Sequence, residues 1–393
     1  MRSCWPFVLG TLTAACGPSG KGDGGLDGGD GGAFACPASD GGWVDGGSNA
    51  TYVTTLLSPS VDSPIEGIAI DKAGVVYLAA LLPVGELIRI DPSTLQETTL
   101  AFASGGSPRF PSGWPDGGFV VLPWPTIGGI ALDSSGDVFL TNFQSGCLCS
   151  GPSCCSPPPP SEASIIRIDA RGAAATLAGR AAGFLDGPSS VAQFSSPLGI
   201  AAVDDGGLII ADRGNFRVRK IDNAGNVITL AGNGDPTDAD GPGPMASFQD
   251  VYGIGTQGMS IFVTEYASNR VRMIDSSGNV STLAGNGTEG FVDGTGGADG
   301  TTEFASPEAI APGTSGDLFV ADTLNLRVRE VKPDGSTITI AGNGEPCAVD
   351  GTGGPQGTAA FEFPTALAFG PTGDLFVADG HAVRVIHFPD GGY

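Results

Sequence analysis

The chain has 393 residues, 65 of them glycine and 30 proline, with 40% apolar and 15% charged residues. That apolar share supports a sizeable core and excludes a chain disordered throughout. A net charge of −24 and a pI near 4.1 exclude nucleic acid as a partner, because phosphates need basic surfaces, and leave metal ions and cationic partners open.

Residues 1–16 read as an export signal: Arg2 gives a positive start, and residues 5–12 form an apolar stretch too short to span a bilayer. Ala14 and Ala15 before Cys16 resemble a bacterial lipobox, although Thr13 stands where that motif has leucine. The resemblance implies that Cys16 is lipidated and that the mature protein is anchored at a bacterial envelope or cell surface; otherwise the signal implies plain secretion. Membrane contact is expected only through that lipid. Residues 17–50 are Gly- and Asp-rich and nearly devoid of periodic apolar residues, which predicts a flexible tether or a plain disordered leader.

Cys4 falls in the signal and Cys16 takes the lipid, which leaves six of the eight cysteines: Cys36, Cys147, Cys149, Cys154, Cys155 and Cys347. An even number in an exported chain suits disulfides. The C-x-C-x4-C-C spacing keeps a zinc site open as the alternative, less suited to its proline-rich surroundings. Cys147, Cys149, Cys154 and Cys155 are expected to pair among themselves, and Cys36 with Cys347.

From residue 51 the chain becomes a series of short β-rich runs separated by Gly, Asp, Asn and Pro. Six first-strand segments align: "PIEGIAID", "TIGGIALD", "PLGIAAVD", "VYGIGT", "PEAIAPG" and "PTALAFG". The last three begin 54, 56 and 57 residues after their predecessors. Each leads through a tight turn to a run such as "DLFVAD", then an arginine-bearing run, then one ending "STLAG" or "TITIAG". Four antiparallel strands repeated six times predict an all-β, six-bladed β-propeller over residues 51–393. The sixth repeat has room for three strands, and "YVTTLLS" at residues 52–58 matches the missing fourth. An N-terminal strand completing the last blade would close the ring and remove its exposed edges.

The runs "ADRGNFRVRKI" and "ADTLNLRVREV", with flanking "LAGNG" and "DG", resemble exported NHL-repeat propellers. The signature weakens in repeat four, where Asn269 is shifted, and in repeat six, where His381 replaces the asparagine; repeats one and two nearly lack it. The resemblance implies the propeller fold and leaves function open, since propellers host unrelated activities. Within "RVR", Arg327 and Arg329 fall on one strand face, with Asp322 and Asn325 in the preceding turn. Turn chemistry and ion pairs between blades are the structural expectation, and a ligand role is the alternative.

Loop length and acidic charge concentrate on one face of the predicted ring, which marks it as the working surface unless that face merely tolerates length. Asp238, Asp240, Asp293 and Asp299 are the candidate partner-binding carboxylates there, with solvated turn formers as the alternative. The residues expected to ring the central opening are Glu66, Gly128, Leu198, Tyr252, Glu308 and Thr365. Of these, Glu66, Tyr252, Glu308 and Thr365 are candidate ligand contacts. "IEGIAID" is similar to a motif of calcium-dependent gluconolactonases, which implies Glu66 as a metal ligand; Glu308 and Thr365 could join it in a loose calcium site, whereas Gly128 and Leu198 supply nothing. With only two histidines a three-histidine zinc site is excluded, and His381 and His387 read as structural. No catalytic motif is recognisable. The reading is a non-catalytic, exported binding or scaffold propeller without an obligatory cofactor, calcium remaining open, whose partner is a cationic or metal-bridged protein or small molecule. A calcium-dependent hydrolase and a sensory or adhesive module are the alternatives.

Overall fold

The repeats fold as six separate sheets whose first strands line a ring. The computed structural model describes residues 50–57, 64–80, 86–91, 93–103, 120–122, 127–143 and 163–389. The chain divides into two units, Met1–Gly41 and Gly42–Tyr393, and the described residues all fall in the second. The export signal with Cys16, the tether apart from residue 50, and Cys36, Cys147, Cys149, Cys154 and Cys155 lie outside the described residues. Cys347 is buried, but the expected disulfides all involve cysteines beyond what is described.

The inner strands of blades one to six are Ile65–Ile70, Ile127–Leu132, Pro197–Ala202, Val251–Gln257, Pro307–Pro312 and Pro364–Phe369. Each packs on the next, and the sixth packs on the first. The core lies between blades. Phe319, Val328 and Ala341 of blade five meet Leu367, Val377 and Ile386 of blade six, and Ile209 and Val218 of blade three meet Val251 and Val263 of blade four. A sheet covered on both faces buries every residue of a central strand, which is why Leu318–Asp322 reads "LFVAD" without polar alternation.

The N-terminal strand closes the ring as expected. Tyr52–Leu57 pairs antiparallel with Ala382–His387, and Val53 enters the core shared by blades five and six. His387 fastens this seam: its Nδ1 lies 3.0 Å from Asp374 Oδ1, its Nε2 2.9 Å from Thr54 Oγ1, and its ring stacks on Tyr52 with centroids 4.6 Å apart. Other blades use a permanent cation on the third strand or just after it, pairing Arg167 with Asp137, Lys220 with Asp205 and Lys332 with Asp317.

Every blade has the four expected strands, and blades two and five have only those among the described residues. Blades three, four and six each gain a two-residue outer strand, Gly187–Pro188, Gly241–Pro242 and Gly351–Thr352, and blade one gains Val120–Leu122, parallel to Glu97–Ala103. Gly187 and Gly241 have φ of 134° and 143°, a conformation glycine reaches without strain, and this turns the incoming loop flat against the sheet edge. An edge so covered is a poor template for another chain.

Candidate functional site

The arginines of the repeat signature are interior clamps. Arg219, Arg272, Arg329 and Arg384 are fully buried. Each joins a carboxylate from its own second strand to an aspartate in the loop entering the same blade: Asp212 and Asp186, Glu265 and Asp240, Asp322 and Asp293, Asp379 and Asp350. A phenylalanine lies under each guanidinium, Phe194, Phe248, Phe304 and Phe361, at 5.1, 5.4, 5.3 and 5.6 Å from the ring centroid. The loop aspartate also accepts a hydrogen bond from a fourth-strand threonine: Thr229, Thr282, Thr339 and, in blade six, Thr55 of the closing strand. For these four arginines the expectation of ion pairs between blades is therefore corrected, because each clamp fastens a blade to its own incoming loop, whereas Arg213 of blade three does pair with Asp250 at the entry to blade four. Such a buried, hydrogen-bonded pair is costly to break from one side. Burial pushes the Asp322 carboxyl up from its ordinary value, and Arg329, the Ala305 amide and Asn325 pull it part of the way back.

This revises the acidic-face set. Asp240 and Asp293 are clamp residues, and Asp238 pairs with Arg270, so three of the four chosen aspartates are held by the scaffold. Asp299 is exposed. A one-dimensional reading sees these loops as lacking lysine and arginine, but their cations arrive from strands about thirty residues further on.

The six ring residues do occupy equivalent places. In every blade the pairing of the first strand with the second shifts register across that residue: Ile65/Gly67, Ile127/Ile130, Pro197/Ile200, Val251/Ile254, Pro307/Ile310 and Pro364/Ala366. A bulge takes a residue out of strict alternation and re-aims its side chain. Glu66, Gly128, Leu198, Tyr252, Glu308 and Thr365 all sit in these bulges. Hydroxyls from the preceding blade fix the backbone there: Thr141 Oγ1 donates to the Leu198 carbonyl at 2.7 Å, Thr264 Oγ1 to the Glu308 carbonyl at 2.8 Å, and Thr365 Oγ1 to the Ile65 carbonyl at 2.5 Å. The backbones also approach closely between blades three and four, where a Cβ on Gly199 would meet the Tyr252 carbonyl at 2.3 Å. These contacts brace the ring of first-strand bulges at blades one, three, four and five.

Two further side chains join it that the sequence reading missed. Arg213 and Tyr266 follow the second-strand acid in blades three and four, the same repeat position that Thr323 fills in blade five. Tyr266 stacks on Tyr252 with centroids 5.3 Å apart, and the Arg213 guanidinium lies 5.2 Å from the Tyr252 centroid. Arg213 is clamped by Asp250, Nε donating to Oδ1 at 2.6 Å and Nη2 to Oδ2 at 2.9 Å. A signal was available: the residue after "AD" or "TE" varies from Arg to Tyr to Thr while its neighbours repeat.

Electrostatics link these groups across the ring. Burial pushes the Glu66 carboxyl up from 4.5 to about 7. Glu308 rises well above its ordinary value, first through burial and then through repulsion by Glu66, with Arg213 opposing. The Tyr252 hydroxyl is raised by burial and then by the same two glutamates. Interaction of Glu308, in blade five, with Glu66, in blade one, carries past Thr365 of the intervening blade, as side chains turned toward the central opening would allow. Among the described residues no group of three or more His, Cys, Asp or Glu is disposed to hold a metal, so the expected calcium pair has no third acidic companion.

The segment 194–221, which holds Phe194, Asp212 and Arg219, matches the NHL repeat family. That segment, in blade three of the six-bladed propeller, is an NHL repeat. NHL repeat-containing protein 2 of Bos taurus is 28% identical over 210 residues, 47% of this chain but only 28% of that protein's length. Among solved structures, an auxiliary nutrient binding protein of Bacteroides thetaiotaomicron is similar with a TM-score of 0.60 at 14% identity, over 86% of this chain and 77% of that one. Its counterpart from Bacteroides ovatus gives 0.59 at 14% identity over the same shares. A streptogramin B lyase gives 0.50 at 13% identity, over 86% of this chain and 98% of the lyase. At these identities the likeness is one of fold.

Proposed function

We propose that this NHL propeller is an exported, non-catalytic binding module whose ligand seats at the channel mouth, with the long loops of the same face around it. The observation that carries this reading is the convergence of Glu66, Tyr252 and Glu308, each in a strand bulge, with Arg213 and Tyr266 on one braced rim. A preformed rim contacts a ligand without ordering cost. The fold likeness to two auxiliary nutrient binding proteins is compatible with this role. The calcium-dependent hydrolase reading retains Glu66 and Glu308 but lacks a third acidic, histidine or cysteine side chain beside them among the described residues. Export and anchoring rest on residues 1–16 with Cys16, and disulfides among Cys36, Cys147, Cys149, Cys154, Cys155 and Cys347 suit that compartment.

The test passes an envelope metabolite extract over immobilised protein and over a Glu308→Gln, Tyr252→Ala variant, with mass spectrometry of what is retained. A small molecule held by the first and lost by the second is expected. Retention that ignores both changes would move the site off the mouth. Labelled palmitate incorporated by the natural chain and lost in Cys16→Ser would support the anchor.

A further inference from the structure

We propose that the channel mouth takes its ligand by a primary ammonium group, whose N–H donors go to Glu66, Glu308 and the Tyr252 hydroxyl. This names the ligand class for the site above and rests on that reading.

The argument begins with an unmet acceptor. Glu308 is 6% exposed, and among the described residues neither its carboxylate nor that of Glu66 receives a hydrogen bond. The carboxylate oxygens are not among the fully enclosed unbonded atoms of the described residues, so they reach open space, where a ligand can supply the missing donor. The ionised member of the pair only accepts, and what it lacks is a further donor. Nor is the position an accident of strand alternation. Both glutamates lie in bulges, and the Glu308 carbonyl is held by Thr264 from the neighbouring blade.

Charge gives the sign of the donor. Glu66 and Glu308 bring two carboxylates to a rim whose nearby guanidinium, Arg213, is already neutralised by two hydrogen bonds to Asp250. An anion is disfavoured there. A calcium ion asks for six to eight oxygen ligands, and no third acidic side chain joins the pair among the described residues. An ammonium head needs only as many acceptors as it has N–H bonds. Tyr252 already stacks on Tyr266 and lies beside Arg213, so its hydroxyl rather than its ring is the group left to offer. The opposite arc, Gly128 and Leu198, is apolar and suits a carbon stem.

The proposal carries a proton signature. Burial and mutual repulsion leave the glutamate pair holding a proton near neutral pH, against the opposing field of Arg213 and beside Tyr252, Tyr266 and Asp250. An arriving ammonium takes over the neutralising role, and that proton leaves to solvent. Binding should strengthen as pH rises from 6 to 8, by up to about tenfold per unit for one proton released.

Calorimetry of the whole chain with 1,5-diaminopentane and with phenethylamine tests this. Two buffers of different ionisation heat count protons, and calcium chloride and maltose serve as probes of other classes. The expected result is amine binding with proton release, weakened about thirtyfold or more by Glu66→Gln or by Glu308→Gln, with unchanged circular dichroism. Failure of both amines at millimolar concentration, or amine binding indifferent to pH and to both variants, overturns the proposal. If maltose or calcium binds instead and Tyr252→Ala abolishes it, the mouth remains the binding site and the ammonium class is wrong. If no probe responds to Glu66, Glu308 or Tyr252, the mouth itself has been misassigned.

Discussion

Replacing Arg329 by methionine should be among the most damaging single changes in this propeller. The side chain is fully buried, donates to Asp322 Oδ2 at 2.6 Å and Asp293 Oδ1 at 2.8 Å, and also serves the carbonyls of Glu303 at 3.1 Å and Val292 at 3.0 Å. Methionine fills much of the volume and restores none of these bonds. Asp322, fully buried, is left with the Ala305 amide and the Asn325 amide group, too few to hold a charge in the interior. Removing one partner of a buried pair costs about 3–5 kcal/mol, and at roughly 2 °C per kcal/mol for a domain of this size the melting temperature should fall by about 6–10 °C. Urea and thermal unfolding read this directly. Adding Asp322→Asn should recover part of the loss, since the orphaned charge is then gone, and the double-mutant cycle should give a coupling above about 1 kcal/mol. Asp293→Asn, at a partner one-third exposed, should cost only about 1 kcal/mol. An Arg329→Met protein within about 1 kcal/mol of the natural one would refute the clamp.

Deleting residues 52–57 should unpair the edge of Ala382–His387 and drive association, visible as higher mass by light scattering; a monomer with an unaltered melting curve would contradict closure by that strand. Gly253→Ala places a Cβ 2.3 Å from the Glu308 carbonyl, which backbone cannot yield cheaply, so about 2 kcal/mol of stability and mouth binding should be lost together. The Glu66 carboxyl, raised in the folded chain to about 7 from an unfolded value of 4.5, favours the fold while protonated. Its contribution is complete below about pH 4.5 and disappears as pH climbs through 7, so Glu66→Gln should match the natural chain at pH 4 and exceed it in stability at pH 8; parallel profiles would show that the group is not buried as described.

The propeller was legible because its signals are local and repeated. Runs such as "DLFVAD" are apolar enough for a strand covered on both faces, tight turns separate them, and the displaced "YVTTLLS" betrays the closing strand by its likeness to the fourth strands of other blades. The equivalence of the six first-strand positions was legible too, since one position per repeat maps onto one position per blade.

What the chain order concealed is what depends on how one segment folds back on another. Asp240 and Asp293 look like solvated acids until Arg272 and Arg329, 32 and 36 residues later, arrive from the third strands. Arg213 and Tyr266 carry no motif of their own and gain meaning only where neighbouring blades set one beside Tyr252 and stack the other on it. Glu66 and Glu308 lie on blades one and five, far apart in sequence, and only closure of the ring makes them repel. Repeat periodicity is a property of neighbours along the chain, so the sequence alone determined the blades; desolvation and charge coupling depend on distances through space, so the tertiary structure alone decided which acids are clamps and which repel one another across the ring.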